Sequence, residues 1–250
     1  MLKIIADDLG LHKSVNDGII FLLKSGKIDG AALMANGEAF EDAVSQCLGV
    51  QFLNIGVHLV LVEEKSISGL RPSKNHKIFF IKYILGLIKL SDVEKELKAQ
   101  LNKIINAGIK PRFINSHQHL HLLPGILDIV IELAKKYQIP YIRIINQPFS
   151  FFDGKLFRKA QLLFLNFLSK MAKRKIKKTG LRSNDIFIGF LNAGRLQRND
   201  IDLADKLATQ DQIVELGCHP GYENEELKIK YSHWGNYNWQ KELGLLEQNR

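Results

Sequence analysis

The sequence predicts an α/β fold, an irregular TIM-like barrel of about seven parallel strands in a single domain covering residues 1–250. Three observations carry this expectation. Short apolar, β-rich runs alternate with longer helical patterns, which calls for a parallel sheet with helices outside it. With 250 residues, 46% of them hydrophobic, the chain can bury one full core without dividing. Acidic, imidazole and guanidinium groups also recur at the ends of the expected strands, where parallel barrels place their chemistry.

Strands are expected near 2–6 (LKIIA), 31–35 (AALMA), 53–59 (LNIGVHL), 112–116 (RFINS), 141–145 (YIRII), 186–191 (IFIGFL) and 213–218 (IVELGC). Helical patterns cover 14–26, 38–48, 91–107, 124–137, 156–176 and 198–210. Ser14 is the expected N-cap of the first helix and Gly26 its stop. Ser91 and Glu94 have capping-box spacing ahead of a helix that Gly108 closes. Residues 61–90 are the least regular and read as a long βα loop at the barrel mouth. No internal repeat or low-complexity linker is visible.

Composition narrows the function classes. Two cysteines, Cys47 and Cys218, show neither paired nor CxxC spacing, so a disulfide framework is not expected and a reducing compartment is. The opening "MLKIIADDLG" is too short and too acidic for a signal peptide, and no apolar run reaches transmembrane length. The formal charge is +9, yet ten Lys or Arg and no acid lie between Asp153 and Asp185, so the remainder is near neutral. That stretch has no zinc-finger, RRM or helix-turn-helix signature, and nucleic acid is not an expected partner.

The strand ends hold the candidate chemistry. The first ends in Asp7-Asp8, the third reaches His58, the fourth runs into "NSHQHLHLLPG", the fifth carries Arg143, and the last ends at Cys218-His219-Pro220-Gly221. Singly, each has an ordinary explanation: Asp8 could cap a helix, His58 could be a satisfied core residue, His219 could belong to a turn. His117, His119 and His121 differ. In an extended segment, period two points all three imidazoles the same way, and a buried stripe of them needs partners. A metal is the economical partner. Asp and His donors suit Zn²⁺, Co²⁺, Ni²⁺, Mn²⁺ or, less strongly, Mg²⁺, and three protein ligands leave open positions for a hydrolytic reaction. Adjacent aspartates on a regular strand point oppositely, so both can serve only where the strand breaks.

With these residues in view, the chain resembles the YdjC-like carbohydrate deacetylase family, which includes chitooligosaccharide and hopanoid-biosynthesis-associated deacetylases. The matching pieces are "ADDLG", "SVNDGI", "NGEAFEDAV", "IGVHLVL", "INSHQHLHLLPGI", "YIRI" and "ELGCHPGY", in the family's order, with "WGNYNWQKELGLL" similar to its closing helix. The resemblance implies one divalent metal, Mg²⁺ or Zn²⁺ first and Co²⁺, Ni²⁺ or Mn²⁺ after them, held by Asp8, His58 and His117. It implies Asp7 as the base for the attacking water, with His219 the candidate acid for the leaving amine. His119, His121 and Arg143 are expected to bind substrate or brace the site. Leu9 stands where the family usually has Phe, an apolar exchange expected to alter packing more than chemistry. The chain stops at "EQNR", where relatives usually continue, so a weaker closing seam is expected.

The expected activity is therefore N-deacetylation of an acetylamino sugar, on an oligosaccharide or a lipid-linked glycan. One alternative is another metal-dependent amide or phosphoester hydrolase. The amidohydrolase superfamily, however, puts HxH on its first strand and its aspartate on the last, the reverse of this order. A third reading is a catalytically retired barrel acting at a membrane surface. It draws on 154–182, where Leu156, Phe157, Leu162, Leu163, Phe164, Phe167 and Leu168 mix with lysines. Expected partners are the sugar substrate, an anionic membrane surface engaged by 154–182, and a second copy in a homodimer. The expected location is cytoplasmic, peripheral at the inner membrane face.

Overall fold

A computed structural model describes residues 1–50, 54–148, 156–209, 211–235 and 237–249. Six strands form one parallel sheet: β1 (Leu2–Leu9), β2 (Gly30–Leu33), β3 (Ile55–Leu59), β4 (Ile114–Ser116), β5 (Ile186–Ile188) and β6 (Val214–Cys218). Their order is β4-β3-β2-β1-β6-β5, a sheet curled into a half-barrel. The helices are α1 (Lys13–Lys24), α2 (Phe40–Leu48), α3 (His76–Ile84), α4 (Leu90–Asn106), α5 (Ile126–Lys136), α6 (Leu156–Lys178), α7 (Arg198–Leu207), α8 (Glu225–Lys230) and α9 (Trp239–Glu247). The expected α/β barrel-like class holds, with one strand fewer than the sequence suggests.

The missing strand has a physical reason. Residues 141–145 do run beside β4, through a parallel bridge between Ile114 and Ile142, and Tyr141 bridges Arg182 on the other side. Beyond that point side chains replace the ladder. Asn184 accepts from the Ile144 N–H and donates to its carbonyl, both at 2.8 Å, and Ser169 Oγ accepts from Ile145 N–H at 2.8 Å. The segment is extended and pairs with β4 only at its start, where Ile114 N–H donates to the Tyr141 carbonyl and Arg143 N–H to the Ile114 carbonyl; at Ile144 and Ile145 side chains take over. Elsewhere the expected start of β3 at Leu53 and the end of α7 at Gln210 lie outside the described residues.

Helix boundaries bring two corrections. The N-cap of α1 is His12, not Ser14, because the imidazole Nδ1 accepts from Ser14 N–H at 3.2 Å. Lys89 precedes α4 without a side-chain cap, so Ser91 and Glu94 form no capping box; the helix starts two residues earlier than that motif requires. Gly26 and Gly108 do end their helices, in the left-handed region at φ 69° and 86°. The segment 61–90 is not wholly irregular, since α3 lies within it.

Several packing details fix the ends of the strands. Asn16 on α1 is fully buried, accepts from Gly10 N–H at 2.7 Å and donates to Asp42 at 2.8 Å, tying down the turn after β1. A Cβ on Gly18 would come within 2.7 Å of the Gly221 Cα, so only glycine lets α1 approach the loop that follows His219. On α4, buried Gln100 bonds both polar groups of Val60, and buried Glu96 accepts from Ile67 and Ser68 N–H. That clamp holds the loop after β3 over the site.

Candidate metal and catalytic site

Both aspartates serve because β1 does not end; it bulges. The register with β2 shifts between Ala6 and Leu9, and Asp8 sits at φ 64°. A left-handed non-glycine costs about 1–2 kcal/mol. The bulge turns the two neighbouring carboxylates toward one cluster of imidazoles rather than onto opposite faces.

Asp8, His58 and His117 form the centre. One ligand atom from each lies within 4.8 Å of the others, and all three residues are buried. His58 Nε2 stands 3.2 Å and His117 Nδ1 3.5 Å from Asp8 Oδ1. Both Asp8 carboxylate oxygens and His58 Nε2 nevertheless lack a hydrogen-bond partner. Orphaned buried polar atoms are costly, and three of them converging on one point fit a divalent cation. The Asp8 carboxyl, pushed up by burial, ends well below its usual range through His117 and His58, so it is an anion at neutral pH.

The surrounding residues fix which nitrogens face that centre. Asn115 Nδ2 donates to Asp7 Oδ1 at 2.8 Å, so its oxygen must face His58 Nδ1, also at 2.8 Å. His58 therefore carries its proton on Nδ1 and presents a bare Nε2 to Asp8. His117 Nε2 donates to Glu63 at 3.0 Å, leaving Nδ1 inward. Burial disfavours the His117 cation, but Asp8 and Glu63 outweigh it and raise its pKa to about 10. The carboxylate–imidazole brace is the usual way a ligand histidine is oriented.

Asp7 is held apart from that centre. Its second oxygen takes Arg143 Nη1 at 2.5 Å, while Arg143 Nε donates to Glu215, which also accepts from Tyr141 at 2.7 Å. Burial pushes the Asp7 carboxyl up, and the Arg143 charge, with His58, brings it below the usual value. Arg143 is completely buried and is not among the residues lining the cavity. Of the two expected roles, orienting a carboxylate or binding substrate, the structure displays the first, a grip on the Asp7 carboxylate.

The three alternate histidines do not share one direction. β4 ends at Ser116, and His117–Leu122 form a 3-10 turn in which Gln118 and His119 take φ 55° and 57°. Two left-handed residues break the extended repeat, so each imidazole goes its own way. His119 lines the cavity, with its ring against Phe187 and Phe190. His121 is buried and is not among the residues that line the cavity. Its Nε2 donates to the Arg143 carbonyl at 2.8 Å and its Nδ1 meets Ser116 Oγ at 2.6 Å. It braces the strand end.

Burial, helped by the Arg143 charge, takes the His121 pKa from 6.5 to about 4. The unfolded chain thus binds this proton at a higher pH than the folded one does. Stability is full above about pH 6.5 and is lost as pH falls toward 4, by roughly 3 kcal/mol at the lower end. His121→Gln keeps a donor for the carbonyl and removes the titration. Its melting temperature should fall less between neutral and mildly acidic pH than that of the wild type. Parallel curves would show that His121 is not the source.

His219 lines the same cavity, with its ring edge-on to Tyr237. Its backbone N–H donates to Glu242 on α9 at 2.5 Å, and its Nδ1 lies 4.0 Å from the same carboxylate. Glu242, whose pKa burial raises, also accepts from Leu196 N–H at 2.9 Å. The cavity measures about 760 Å³, bounded by Asp7, His58, His117 and His219 on one side. Phe187, Phe190, Trp234 and Tyr237 add aromatic walls, and Trp234 lies 4.8 Å from the His117 ring.

The family model for YdjC-like proteins matches residues 1–250. The chain belongs to the YdjC-like family. Among relatives, it is 36% identical over 224 residues to a carbohydrate deacetylase of Brevibacillus brevis, covering 88% of this chain and 81% of that protein. A carbohydrate deacetylase of Clostridium beijerinckii is 28% identical over 229 residues, covering 89% and 82%. A crystal structure from Enterococcus faecalis V583, described as a candidate cellobiose-phosphate cleavage protein, superposes with a TM-score of 0.71 at 24% identity. It covers 98% of this chain and 89% of that one. That likeness bears on the fold.

For this YdjC-like chain, the residues missed in the sequence are the supporting ones. Glu63 sits at φ 73° in the loop after β3, where no period marks it. Asn115 neighbours the histidine run and could have been noticed for its position. Glu215 carried a usable signal: a charge inside an otherwise apolar strand requires a buried partner.

Proposed function

We propose that this protein is a metal-dependent hydrolase that removes the N-acetyl group from an acetylamino sugar. The observation that carries the reading is the orphaned Asp8–His58–His117 centre beside a carboxylate, Asp7, locked by Arg143 and Asn115. Relatives named carbohydrate deacetylase support the substrate class. The aromatic walls offer flat faces for the apolar side of a sugar ring, with polar groups between them.

Asp8, His58 and His117 would hold a divalent ion, and that ion would supply Lewis acidity toward the acetyl carbonyl and lower the pKa of a water. One oxygen and two nitrogen donors suit Zn²⁺, Co²⁺, Ni²⁺ or Mn²⁺ better than Mg²⁺. Asp7, kept ionised by Arg143, takes the proton of the attacking water. Asn115 and Arg143 hold that carboxylate in one orientation. His219 acts as the imidazolium, which buried Glu242 stands where it can steady, and gives its proton to the departing amine, leaving the imidazole neutral. His119 shapes the cavity wall beside Phe187 and Phe190.

Mass spectrometry across acetamido sugars, with each candidate metal in turn, tests the reading by loss of acetyl. Absence of acetyl loss with every metal would remove it. His219→Ala should slow amides far more than esters with good leaving groups, which scarcely need an acid. Equal losses on the two classes would leave His219 a binding or structural role. Lys77, Arg158 and Arg195 on the cavity wall favour a second reading, hydrolysis of a phosphoester. The same screen includes phosphomonoesters, and turnover of these without acetyl loss would replace the first reading.

A further inference from the structure

We propose that the outer faces of α3 and α6 together dock onto an anionic lipid bilayer, holding the cavity mouth at the membrane surface. The first observation is that α6 is apolar on two faces. Leu162, Leu168, Ala172 and Ile176 are buried against the barrel, while Leu156, Leu163, Phe164, Phe167 and Met171 are exposed, Phe167 by 60%. Leu163, Phe167 and Met171 follow at four-residue steps, with Phe164 three before Phe167 and Leu156 two turns before Leu163, so the set forms one stripe of its own. A helix apolar on both sides is normally covered on both.

The second observation extends this stripe into a region with no such pattern in the sequence. Lys77 lies over the Phe157 ring at 5.3 Å, and the Phe80 and Phe164 rings meet at 5.5 Å. These two pairs set α3 alongside α6, both running the same way. Ile81 and Ile84 on α3 are exposed, and Leu85 and Leu87 in the turn beyond it are exposed by 65% and 66%. Contiguous exposed apolar surface of this kind marks a contact site.

Charge identifies the occupant. No acidic residue occurs from Lys65 to Ser91 or anywhere in α6. Lys89, Lys170, Arg174 and Lys178 are exposed around the apolar residues. A second copy of the chain would bring two cationic faces together, whereas an anionic bilayer complements both components at once. Among the described residues no helix is long and apolar enough to cross a membrane, so the contact is with the surface. His76, Lys77, Phe157, Arg158 and Gln161, at the N-terminal ends of the two helices, line the cavity. Docking therefore turns its mouth toward headgroups. If the deacetylation reading holds, the matching substrate is a sugar carried on a lipid; docking itself does not rest on that reading.

Vesicle co-sedimentation tests docking without any turnover. The full chain is mixed with vesicles of phosphatidylcholine alone or containing phosphatidylglycerol, at low and high salt. Binding should require the anionic lipid and weaken with salt. The pairs Leu163→Ser with Phe167→Ser, and Ile84→Ser with Leu85→Ser, should each cut binding about tenfold or more at unchanged melting temperature. Lys170→Glu with Arg174→Glu should weaken it and flatten its salt dependence. Three results would overturn the proposal: no anionic vesicle binding at low salt, binding indifferent to both apolar pairs, or a solution dimer that Leu163→Ser with Phe167→Ser dissociates.

Discussion

Asp7→Asn is expected to bind about one equivalent of divalent metal and to turn over acetylated substrate at least about a hundredfold more slowly than the wild type. The amide keeps the volume of the carboxylate and can still accept from Arg143 through its oxygen. It cannot accept a proton at neutral pH, and its NH₂ group faces the donor Nδ2 of Asn115 unless that amide turns over. Either way the basic oxygen is gone while Asp8, His58 and His117 remain. Metal content by elemental analysis and turnover by acetate release separate the two functions. Near-wild-type turnover would exclude Asp7 as the base; loss of metal along with activity would make it a ligand.

The other large effect belongs to the centre itself. His58→Ala and His117→Ala should each lose stoichiometric metal after reconstitution, and activity with it, because each removes one of the three donors that cluster among the described residues. Calorimetric titration of the apo-protein with zinc reads the loss without reference to catalysis. Retention of one tight equivalent by both variants would rule this centre out. Glu63→Gln is the informative companion. It leaves the three ligands intact and weakens only the brace on His117 Nε2, so metal affinity should drop about 10–100-fold rather than vanish.

Much of this was legible before any coordinates. Strand–helix alternation gave the class of fold because it follows from local pattern alone. The clustering of Asp8, His58 and His117 was legible through the family resemblance and through their places at strand ends. What escaped the sequence depends on long-range partners or on backbone signs. The extended reading of 115–121 failed because nothing in "HQHLH" announces left-handed residues at Gln118 and His119. The segment 141–145 has the composition of a strand, and only the side chains of Asn184 and Ser169, far away in sequence, decide that it is not one. Arg143 was expected, through the resemblance, to orient a carboxylate or bind substrate, and the sequence does not say which. Its anions turned out to be Asp7 and Glu215.

That side-chain seam has a dynamic consequence. Where a strand ladder shares load among many amides, the stretch from Ile144 to Gln147 is held mainly by side chains. Asn184 and Asn166 make two bonds each and Ser169 one, beside a single backbone bond from Phe187 N–H to the Asn146 carbonyl. Such a junction can open locally at lower free energy than the paired strands around it, and its amide hydrogens would be early to exchange with solvent. Arg143 sits at the edge of that stretch, with one hand on Asp7. The rigidity of the proposed base is therefore borrowed from a part of the barrel wall held mainly by side chains, and substitutions at Asn184 or Ser169, outside the cavity lining, would act on catalysis through breathing of the seam.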